Sequence, residues 1–259
     1  MKIKDLFSQT SFITISIDDG APEDLKVANL LHKFGLKATF YIPAYNRENK
    51  LLQKRDIKLI AKDFEVGGHT YHHVPLAKLK RQQAEEEVLS GKKWLEDVVG
   101  KRVNSFCYPR GKFTRETTEI VAKAGFLGAR TCFFNHVSWP KNPFLWGVST
   151  HAFSHPFSIQ VRHAILERNF QGLSNYLTKF KMSQDWEFHF SCALDYVENN
   201  AGVAHLYFHS WEINKYSQWD KLERVLRNIH NRTSLVSVTN EELFQLWHQR
   251  RSIPKTREN

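Results

Sequence analysis

Short apolar runs alternate along this chain with stretches in which apolar residues recur at helical spacing. Phe12 to Ile17 is an apolar, β-branched run of the kind that forms a buried strand. Glu23 to Gly35 has helical spacing, and Lys37 to Ile42 returns to the strand pattern. A strand, a helix and a strand in this order indicate two parallel strands joined by a right-handed crossover.

The same alternation continues to the end of the chain. Further strands are predicted at Phe64 to Val66, Val103 to Cys107, Phe126 to Thr131, Val203 to Phe208 and Leu235 to Val238, with a weaker candidate at Trp146 to Thr150. Further helices are predicted at Leu51 to Asp63, Arg81 to Val99, Thr114 to Gly125, Ile159 to Tyr176, Asp185 to Val197, Trp219 to Asn231 and Thr239 to Trp247. We therefore expect an α/β fold, a distorted (β/α) barrel of about seven parallel strands. It should form a single domain over residues 1–259, with its core at about 12–250 and a frayed, charged tail after Arg250.

The composition is that of an ordinary globular protein, with 41% hydrophobic and 25% charged residues. No stretch approaches the roughly 18 to 20 apolar residues of a membrane span, and Phe12 to Ile17 is too short for the core of a secretory signal. Cys107, Cys132 and Cys192 are odd in number and lack a Cys-x-x-Cys spacing, which argues against disulfides or a cysteine zinc site. We expect a cytoplasmic protein that could also lie against the inner membrane surface.

The chain is strongly basic, with 37 Lys and Arg against 27 Asp and Glu and a formal net charge of +10. This charge favours anionic partners, such as an acidic membrane surface, an anionic glycan, or a lipid- or nucleotide-linked sugar. Nucleic acid is also anionic, but the basic residues are scattered and accompany no recognisable nucleic-acid-binding motif. Nucleic acid is therefore the least favoured of these partners.

Residues that bind metals or transfer protons follow several of the predicted strands. Asp18 and Asp19 come directly after the first strand, and Gly20 then allows a sharp turn. Because neighbouring side chains of a strand point to opposite faces, we expect the two carboxylates to have different partners. In a parallel barrel, active sites lie at the carboxyl ends of the strands. The residues predicted at that mouth are Asp18, Asp19, His69, His73, Tyr108 to Gly111, Arg130 and His209.

A pair of histidines suggests a metal site. His69 and His73 are four residues apart, a spacing that puts both imidazoles on one face of a helical turn. Two imidazoles and one carboxylate can hold a divalent ion with open positions for water and substrate. The pair alone is a weak signal in a chain with 13 histidines, and His72 is the main alternative ligand. Packing or loop positions are expected for His151, His155 and His205.

Three motifs resemble the successive motifs of the NodB-like polysaccharide deacetylases, carbohydrate esterase family 4. They are Ser16-Ile17-Asp18-Asp19-Gly20, His69-Thr70-x-x-His73, and a Tyr-Pro-x-Gly segment that begins at Tyr108. The resemblance runs from about Phe12 to Trp211. It implies a distorted barrel and the metal-dependent removal of N-acetyl groups, or sometimes O-acetyl or formyl groups, from amino sugars.

The resemblance also implies roles for the matching residues. Asp18 is expected to be the general base and His209 the general acid. Asp19, His69 and His73 are expected to bind a divalent metal, zinc above all, with cobalt, nickel or manganese as alternatives. A backbone amide after the third-motif proline helps to hold the oxyanion in this family, and here it belongs to Arg110. The residues expected to contact substrate are Tyr108, Pro109, Arg110, Arg130 and Trp211.

Several departures from the family pattern indicate a divergent subgroup. Cys107 stands where the third motif often begins with an arginine that contacts the base. The fourth motif, an Asp with a Trp, is not recognisable, and Tyr207 replaces the usual Leu of the fifth. Arg130 ends the strand that follows the third motif, so we hypothesise that its guanidinium reaches Asp18 and keeps it ionised. The alternative is that Arg130 pairs with a surface acid or a helix end.

The favoured function is a metal-dependent N-deacetylase that hydrolyses the acetamide of an amino-sugar glycan or of a glycan precursor. The alternative is a catalytically inactive relative that binds carbohydrate. A basic nucleic-acid-binding protein ranks last, because only the charge suggests it. Side chains that could stack on a sugar ring, or pack in the core instead, are Trp139, Trp146 and Trp211.

Overall fold

The structure, a computed structural model, describes residues 10–252, which contain an eight-stranded sheet. The strands are β1 (Ser11–Asp18), β2 (Thr39–Ile42), β3 (Glu65–Gly68), β4 (Ser105–Cys107), β5 (Gly128–Arg130), β6 (Thr150–His151), β7 (Gly202–His209) and β8 (Leu235–Ser237). They lie in the order β5-β4-β3-β2-β1-β7-β6, with β8 beside the start of β1. Every paired strand is parallel to its neighbour.

The sheet closes on itself through one short contact. Arg130, at the end of β5, forms a parallel backbone bridge with Trp146. The chain then continues into β6, where Thr150 pairs with Leu206 of β7. The strand predicted from Trp146 to Thr150 is therefore in the right position. Strand pairing is limited to the bridge at Trp146 and to the two residues of β6, Thr150–His151. The predicted distorted barrel is confirmed.

Helices surround the sheet. They are α1 (Asp24–Phe34), α2 (Lys54–Asp63), α3 (Arg81–Val99), α4 (Arg115–Lys123), α5 (Phe157–Leu166), α6 (Phe170–Thr178), α7 (Trp186–Asn200), α8 (Ser210–Lys215), α9 (Trp219–His230) and α10 (Asn240–Ser252). Between residues 10 and 252, no helix is long and apolar enough to cross a bilayer.

The alternation of side chains along β1 explains which residues reach the barrel interior. Ile13, Ile15 and Ile17 belong to the hydrophobic core, together with helical residues. The intervening side chains are polar and meet polar partners: Thr14 Oγ1 donates to Asn240 Oδ1 at 2.7 Å, and Ser16 Oγ lies 2.9 Å from His205 Nε2. Asp18 continues this second series, so its carboxylate also points inward.

The predicted helix ends at Gly35 and Thr239 are confirmed. Gly35 has a φ of 60°, the left-handed conformation that glycine adopts without strain. At the start of α10, the Thr239 backbone N donates to Glu242 Oε2 at 2.8 Å, and the Glu242 N donates to Thr239 Oγ1 at 3.2 Å. This is the predicted capping box. The end of the charged tail lies outside the described residues.

One helix prediction was wrong, and one short helix was missed. The single helix predicted from Ile159 to Tyr176 is two helices, α5 and α6. Arg168 has a φ of 53°, which ends the first, and the Asn169 side chain accepts from the Gly172 N at 2.9 Å, which caps the second. The short helix α8, which begins directly after His209, was not predicted.

Candidate metal and active site

Two adjacent carboxylates stand at the carboxyl end of β1 and face different neighbours. Asp18 is the last residue of the strand and pairs in register with His209 of β7. Asp19 has a φ of 78°, so the backbone turns there and its carboxylate faces His69 and His73 instead. The prediction that the two acids have different partners is therefore confirmed.

The loop that carries the histidines differs from the predicted helical turn. Residues 69–73 form an irregular loop after β3, in which Thr70 and His73 have φ values of 62° and 53°. The loop packs so closely on α3 that a Cβ at Gly91 would lie 2.6 Å from the Thr70 carbonyl carbon. Glu87, one turn earlier on α3, accepts from the Tyr71 N at 3.1 Å. Packing against α3 thus holds a conformation that helical spacing cannot predict.

Asp19, His69 and His73 form a three-residue cluster with the geometry of a metal site. The Asp19 Oδ1 lies 3.6 Å from His69 Nε2 and 3.1 Å from His73 Nε2. One ligand atom from each residue lies within 4.8 Å of the others. The Asp19 Oδ1 is buried and accepts no well-directed hydrogen bond. A cation among these three atoms would satisfy all of them, so the residues fit a divalent ion.

Neighbouring groups orient these ligands. His69 Nδ1 lies 2.8 Å from the Cys107 carbonyl oxygen, an acceptor, so Nδ1 carries the proton and leaves Nε2 free to bind metal. Trp211 Nε1 donates to Asp19 Oδ2 at 2.9 Å. Burial raises the pKa of Asp19, but its contacts with His69 and His73 outweigh burial and hold that pKa far below its ordinary value. Burial lowers the pKa of His69, which favours the neutral imidazole that a metal requires.

Asp18 forms a buried ion pair with Arg130. A guanidinium nitrogen of Arg130 donates to Asp18 Oδ2, and the arginine side chain is fully buried. Burial raises the pKa of Asp18, but Arg130, His69 and His209 together outweigh burial, so the net shift is downward. The contact required by the Arg130 hypothesis is present, although it is not bidentate. The other terminal nitrogen lies 3.6 Å from Cys132 Sγ.

His209 belongs to a hydrogen-bonded chain that was not predicted. Its Nδ1 lies 2.6 Å from Glu212 Oε2, and the same oxygen lies 3.0 Å from His151 Nε2. His151 Nδ1 in turn lies 3.0 Å from His155 Nε2. Burial lowers the pKa of His209, but the carboxylates of Glu212, Asp19 and Asp18 together outweigh burial and raise it to about 9. His209 is therefore protonated at neutral pH.

Sequence reasoning missed Glu212 and assigned His151 to packing. The available signal for Glu212 was its spacing, three residues after His209 at the start of a helical segment. No local signal linked His151, because its contact with Glu212 spans 61 residues of sequence. The interpretation of His205 as a packing residue agrees with its buried position against Ser16.

His72, the alternative ligand, points away from the cluster. Its side chain is 50% exposed, and its Nδ1 lies 2.6 Å from Glu87 Oε1. It is absent from the groups of candidate metal ligands among the described residues.

The residues predicted to bind substrate differ in how far their side chains are exposed. Tyr108 is fully buried and packs against Phe106 and Phe113, so only its backbone could contact a substrate. Pro109 is also buried, whereas Arg110 is exposed, has a φ of 56° and pairs with Glu48.

The tryptophans also differ in position. Trp211 is half-buried at the metal cluster, with its ring centroid 5.5 Å from that of His209. Trp146 is buried and packs with Trp139 and Phe244 in a separate core cluster, so the suggestion that it stacks on a sugar is wrong.

A cleft of about 520 Å³ opens beside His73. Basic and acidic groups that line it are Arg47, Glu48, Glu86, Glu87 and Arg110. A smaller cleft of about 220 Å³ has Glu212 in its wall, with Phe153, Trp186 and Tyr216 as aromatic lining. Both clefts therefore adjoin residues of the candidate site and contain groups suited to polar ligands.

Comparisons with known proteins agree with these motifs. The family model for polysaccharide deacetylase matches residues 8–129. The peptidoglycan-N-acetylglucosamine deacetylase of Bacillus cereus is 28% identical over 137 residues, which are 52% of this chain. The chain spans only 60% of the length of that relative.

Solved structures share the fold at low identity. A Mycobacterium smegmatis protein, provisionally named a polysaccharide deacetylase, has a TM-score of 0.68 at 15% identity and covers 97% of this chain and 95% of its own. The Xyl-CE4 domain of a xylanase from the hindgut metagenome of Trinervitermes trinervoides has a TM-score of 0.57 at 14% identity, with 96% of both chains covered. A CE4 family pseudoenzyme from Bacillus anthracis has a TM-score of 0.56 at 16% identity and covers 92% of this chain and 66% of its own. These likenesses concern the fold alone.

Proposed function

We propose, on the premise that the chain belongs to the NodB-like polysaccharide deacetylases, that it is a metal-dependent N-deacetylase of amino-sugar glycans. The observation that carries this proposal is the metal-type cluster of Asp19, His69 and His73 between an ionised Asp18 and a protonated His209. In the reaction, water adds to the acyl carbon, the carbon–nitrogen bond breaks, and acetate and a free amine are released.

Asp19, His69 and His73 would hold the metal ion. Two imidazole nitrogens and a carboxylate oxygen suit zinc, and cobalt, nickel or manganese could take its place. When bound, such an ion polarises the acyl carbonyl and makes water more acidic. The Trp211 indole and the Cys107 carbonyl keep the carboxylate and the His69 ring in the orientation that this requires.

Asp18 and His209 would transfer the protons. Arg130, together with His69 and His209, keeps Asp18 ionised despite its burial, so the carboxylate can accept a proton from the attacking water. Glu212 keeps His209 protonated, so the imidazolium can give a proton to the leaving amine. In this scheme Arg130 and Glu212 are positioning residues, because each acts through the group that it contacts.

The substrate would be an N-acetylated amino-sugar glycan, or a lipid- or nucleotide-linked precursor of one. The cleft beside His73 offers charged and amide side chains to sugar hydroxyl groups. The Arg110 amide is proposed to help hold the oxyanion, as the third motif implies. The three free cysteines fit the cytoplasmic location that forms part of the proposal.

The test is acetate release from a panel of N-acetylated oligosaccharides, peptidoglycan fragments and linked precursors, together with metal content. Alanine at Asp19, His69 or His73 should abolish both metal binding and activity, while His72→Ala, the matched control, should keep both. Asp18→Asn and His209→Ala should keep the metal and lower turnover by about 10²-fold or more. A protein that binds no divalent metal at stoichiometric level would contradict the proposal.

A catalytically inactive carbohydrate-binding protein is the second candidate, because one of the structures that share the fold is a pseudoenzyme. For that candidate, no substrate would yield acetate, and Asp18→Asn would leave glycan binding unchanged. Release of acetate that Asp18→Asn abolishes would exclude it.

A further inference from the structure

Exposed apolar side chains are concentrated in one region outside the candidate site. Most of the large apolar side chains that are exposed between residues 10 and 252 belong to residues 157–188. We call them the hairpin face: Phe157, Ile165, Leu166, Phe170, Leu177, Met182 and Phe188. Leu166 and Phe170 are the most exposed, at 69% and 64%. Exposed apolar clusters of this kind mark interaction surfaces.

The helices α5 and α6 are amphipathic with their apolar side outward. Phe157 and Ile165 share one face of α5, and Phe170 and Leu177 share one face of α6, because residues eight or seven apart lie on the same side. The residues that these helices bury are Gln160, Ala164, Gly172, Asn175 and Tyr176. Tyr176 anchors α6 in the hydrophobic core, and the exposed apolar side chains of the hairpin face take no part in that attachment.

Buried amides attach the two helices to the mouth of the barrel. Asn169 Nδ2 donates to the Phe134 carbonyl at 3.0 Å, and Asn175 Nδ2 donates to the Asn135 carbonyl at 2.7 Å. Phe134 and Asn135 follow β5, so they lie at the carboxyl end of the sheet. These bonds set the orientation of the hairpin face beside the mouth.

Within the described residues, three exposed basic side chains without a carboxylate partner lie in the segment that carries the hairpin face. Arg162, Arg168 and Lys181 are exposed, and none has an ion pair with a carboxylate in the described part of the chain. The nearby acids already have basic partners elsewhere: Glu167 pairs with Lys112, Asp185 with Lys221, and Glu187 with Arg224. The three cations are thus available to an anionic partner.

We propose that the hairpin face docks this protein on an anionic lipid bilayer. Outward apolar side chains can enter the boundary between headgroups and acyl chains, while basic residues around them bind anionic headgroups. A second copy of the chain is a poorer occupant, because two such faces would bring their unpaired cations together. The docking does not depend on the proposed reaction, since none of these residues belongs to the candidate site.

The first test is cosedimentation of the full chain with vesicles of phosphatidylcholine alone, or of equal parts phosphatidylcholine and phosphatidylglycerol. We expect binding to the anionic vesicles only. The double variant Leu166→Ser, Phe170→Ser should bind them about tenfold more weakly or worse, because two large apolar side chains no longer insert. The control pair Leu59→Ser, Leu89→Ser, each 53% exposed on other helices, should bind like the original chain. Failure to bind anionic vesicles, or an equal loss in the control, would overturn the proposal.

The second test distinguishes the effect of the basic residues near the hairpin face from the effect of the net charge of the whole protein. Changing Arg162, Arg168 and Lys181 to Gln should weaken vesicle binding roughly fivefold for each charge removed. Changing Lys54, Lys58 and Lys123 to Gln removes the same net charge from exposed positions elsewhere and should change binding little. Equal weakening by the two sets would contradict docking through this face. Light scattering without lipid gives a second check. If the unchanged protein is a dimer and the Leu166→Ser, Phe170→Ser variant is a monomer, the hairpin face binds a second copy of the chain, which would also contradict the proposal.

Discussion

Arg130 lies beside Cys107, the residue at which the third motif departs from the deacetylase pattern that the sequence resembles. Strand pairing sets Cys107 of β4 directly beside Arg130 of β5. Both side chains reach the same oxygen of Asp18, with Cys107 Sγ 3.6 Å from Oδ2. Arg130, on the strand beside Cys107, therefore makes the contact with Asp18 that our hypothesis requires.

We predict that Arg130→Lys lowers turnover roughly 10-fold to 100-fold, which corresponds to the 1.5 to 3 kcal/mol of a charged hydrogen bond. The lysine keeps the charge but loses the planar contact over Tyr207, whose ring centroid is 4.6 Å from the guanidinium carbon. Steady-state kinetics would measure this effect. Arg232→Lys, at an arginine that contacts Asp195 and Glu198 away from the site, is the control. Unchanged turnover for Arg130→Lys would remove Arg130 from the mechanism.

Glu212 makes the largest contribution to keeping His209 protonated. Burial lowers the pKa of His209, and Glu212, together with Asp19 and Asp18, reverses this and raises the pKa to about 9. The protonated form is the one that a general acid needs. Activity should therefore persist to alkaline pH and fall only as His209 loses its proton.

We predict that Glu212→Gln moves the alkaline limb of the kcat/KM profile from near pH 9 to lower pH. Without the carboxylate, burial lowers the pKa of His209, so the proton needed by the leaving amine is lost at lower pH. The measurement is the pH profile of both proteins, with Glu223→Gln as a surface control. An alkaline limb that does not move would mean that Glu212 has only a structural role.

At the scale of elements, Glu65 joins three strands to the start of α10. Its carboxylate accepts hydrogen bonds from Thr39 Oγ1 at 2.7 Å, from the Ser105 hydroxyl, and from the Glu241 backbone N at 2.8 Å. Burial nevertheless outweighs these bonds and raises the pKa of Glu65 to about 7. The folded protein thus binds a proton here at a pH where the unfolded chain does not.

We predict that the contribution of Glu65 to stability falls as pH rises from the unfolded value of 4.5 to the folded value of about 7. Between these values the unfolded chain is ionised and the folded protein is protonated. The free energy of unfolding of Glu65→Gln should therefore improve, relative to the unchanged protein, by roughly 1 to 3 kcal/mol between pH 5 and pH 8. Urea unfolding at both pH values measures this difference. The control Glu85→Gln, which changes a carboxylate in a surface ion pair, should show no such pH-dependent difference in the free energy of unfolding.

At the scale of the whole molecule, closure of the barrel brings residues from both halves of the chain to one mouth. The family model matches residues 8–129, which include Asp18 and the cluster of Asp19, His69 and His73. Arg130, His209 and Glu212 come after that match. The ring of strands still brings them to the first half, because Arg130 reaches Asp18 across the interior and β7 pairs with β1 up to Asp18 and His209.

The sequence by itself determined the fold class, most element positions and the residues proposed for the metal and for proton transfer. These depend on local patterns, such as the apolar run from Phe12 to Ile17 or the spacing of His69 and His73. Only the tertiary structure decided which side chains meet them. The contacts from Arg130 to Asp18 and from His151 to Glu212 span 112 and 61 residues, and the loop of His69 and His73 follows α3 rather than a helical turn. Such contacts depend on the packing of distant elements, which no local period encodes.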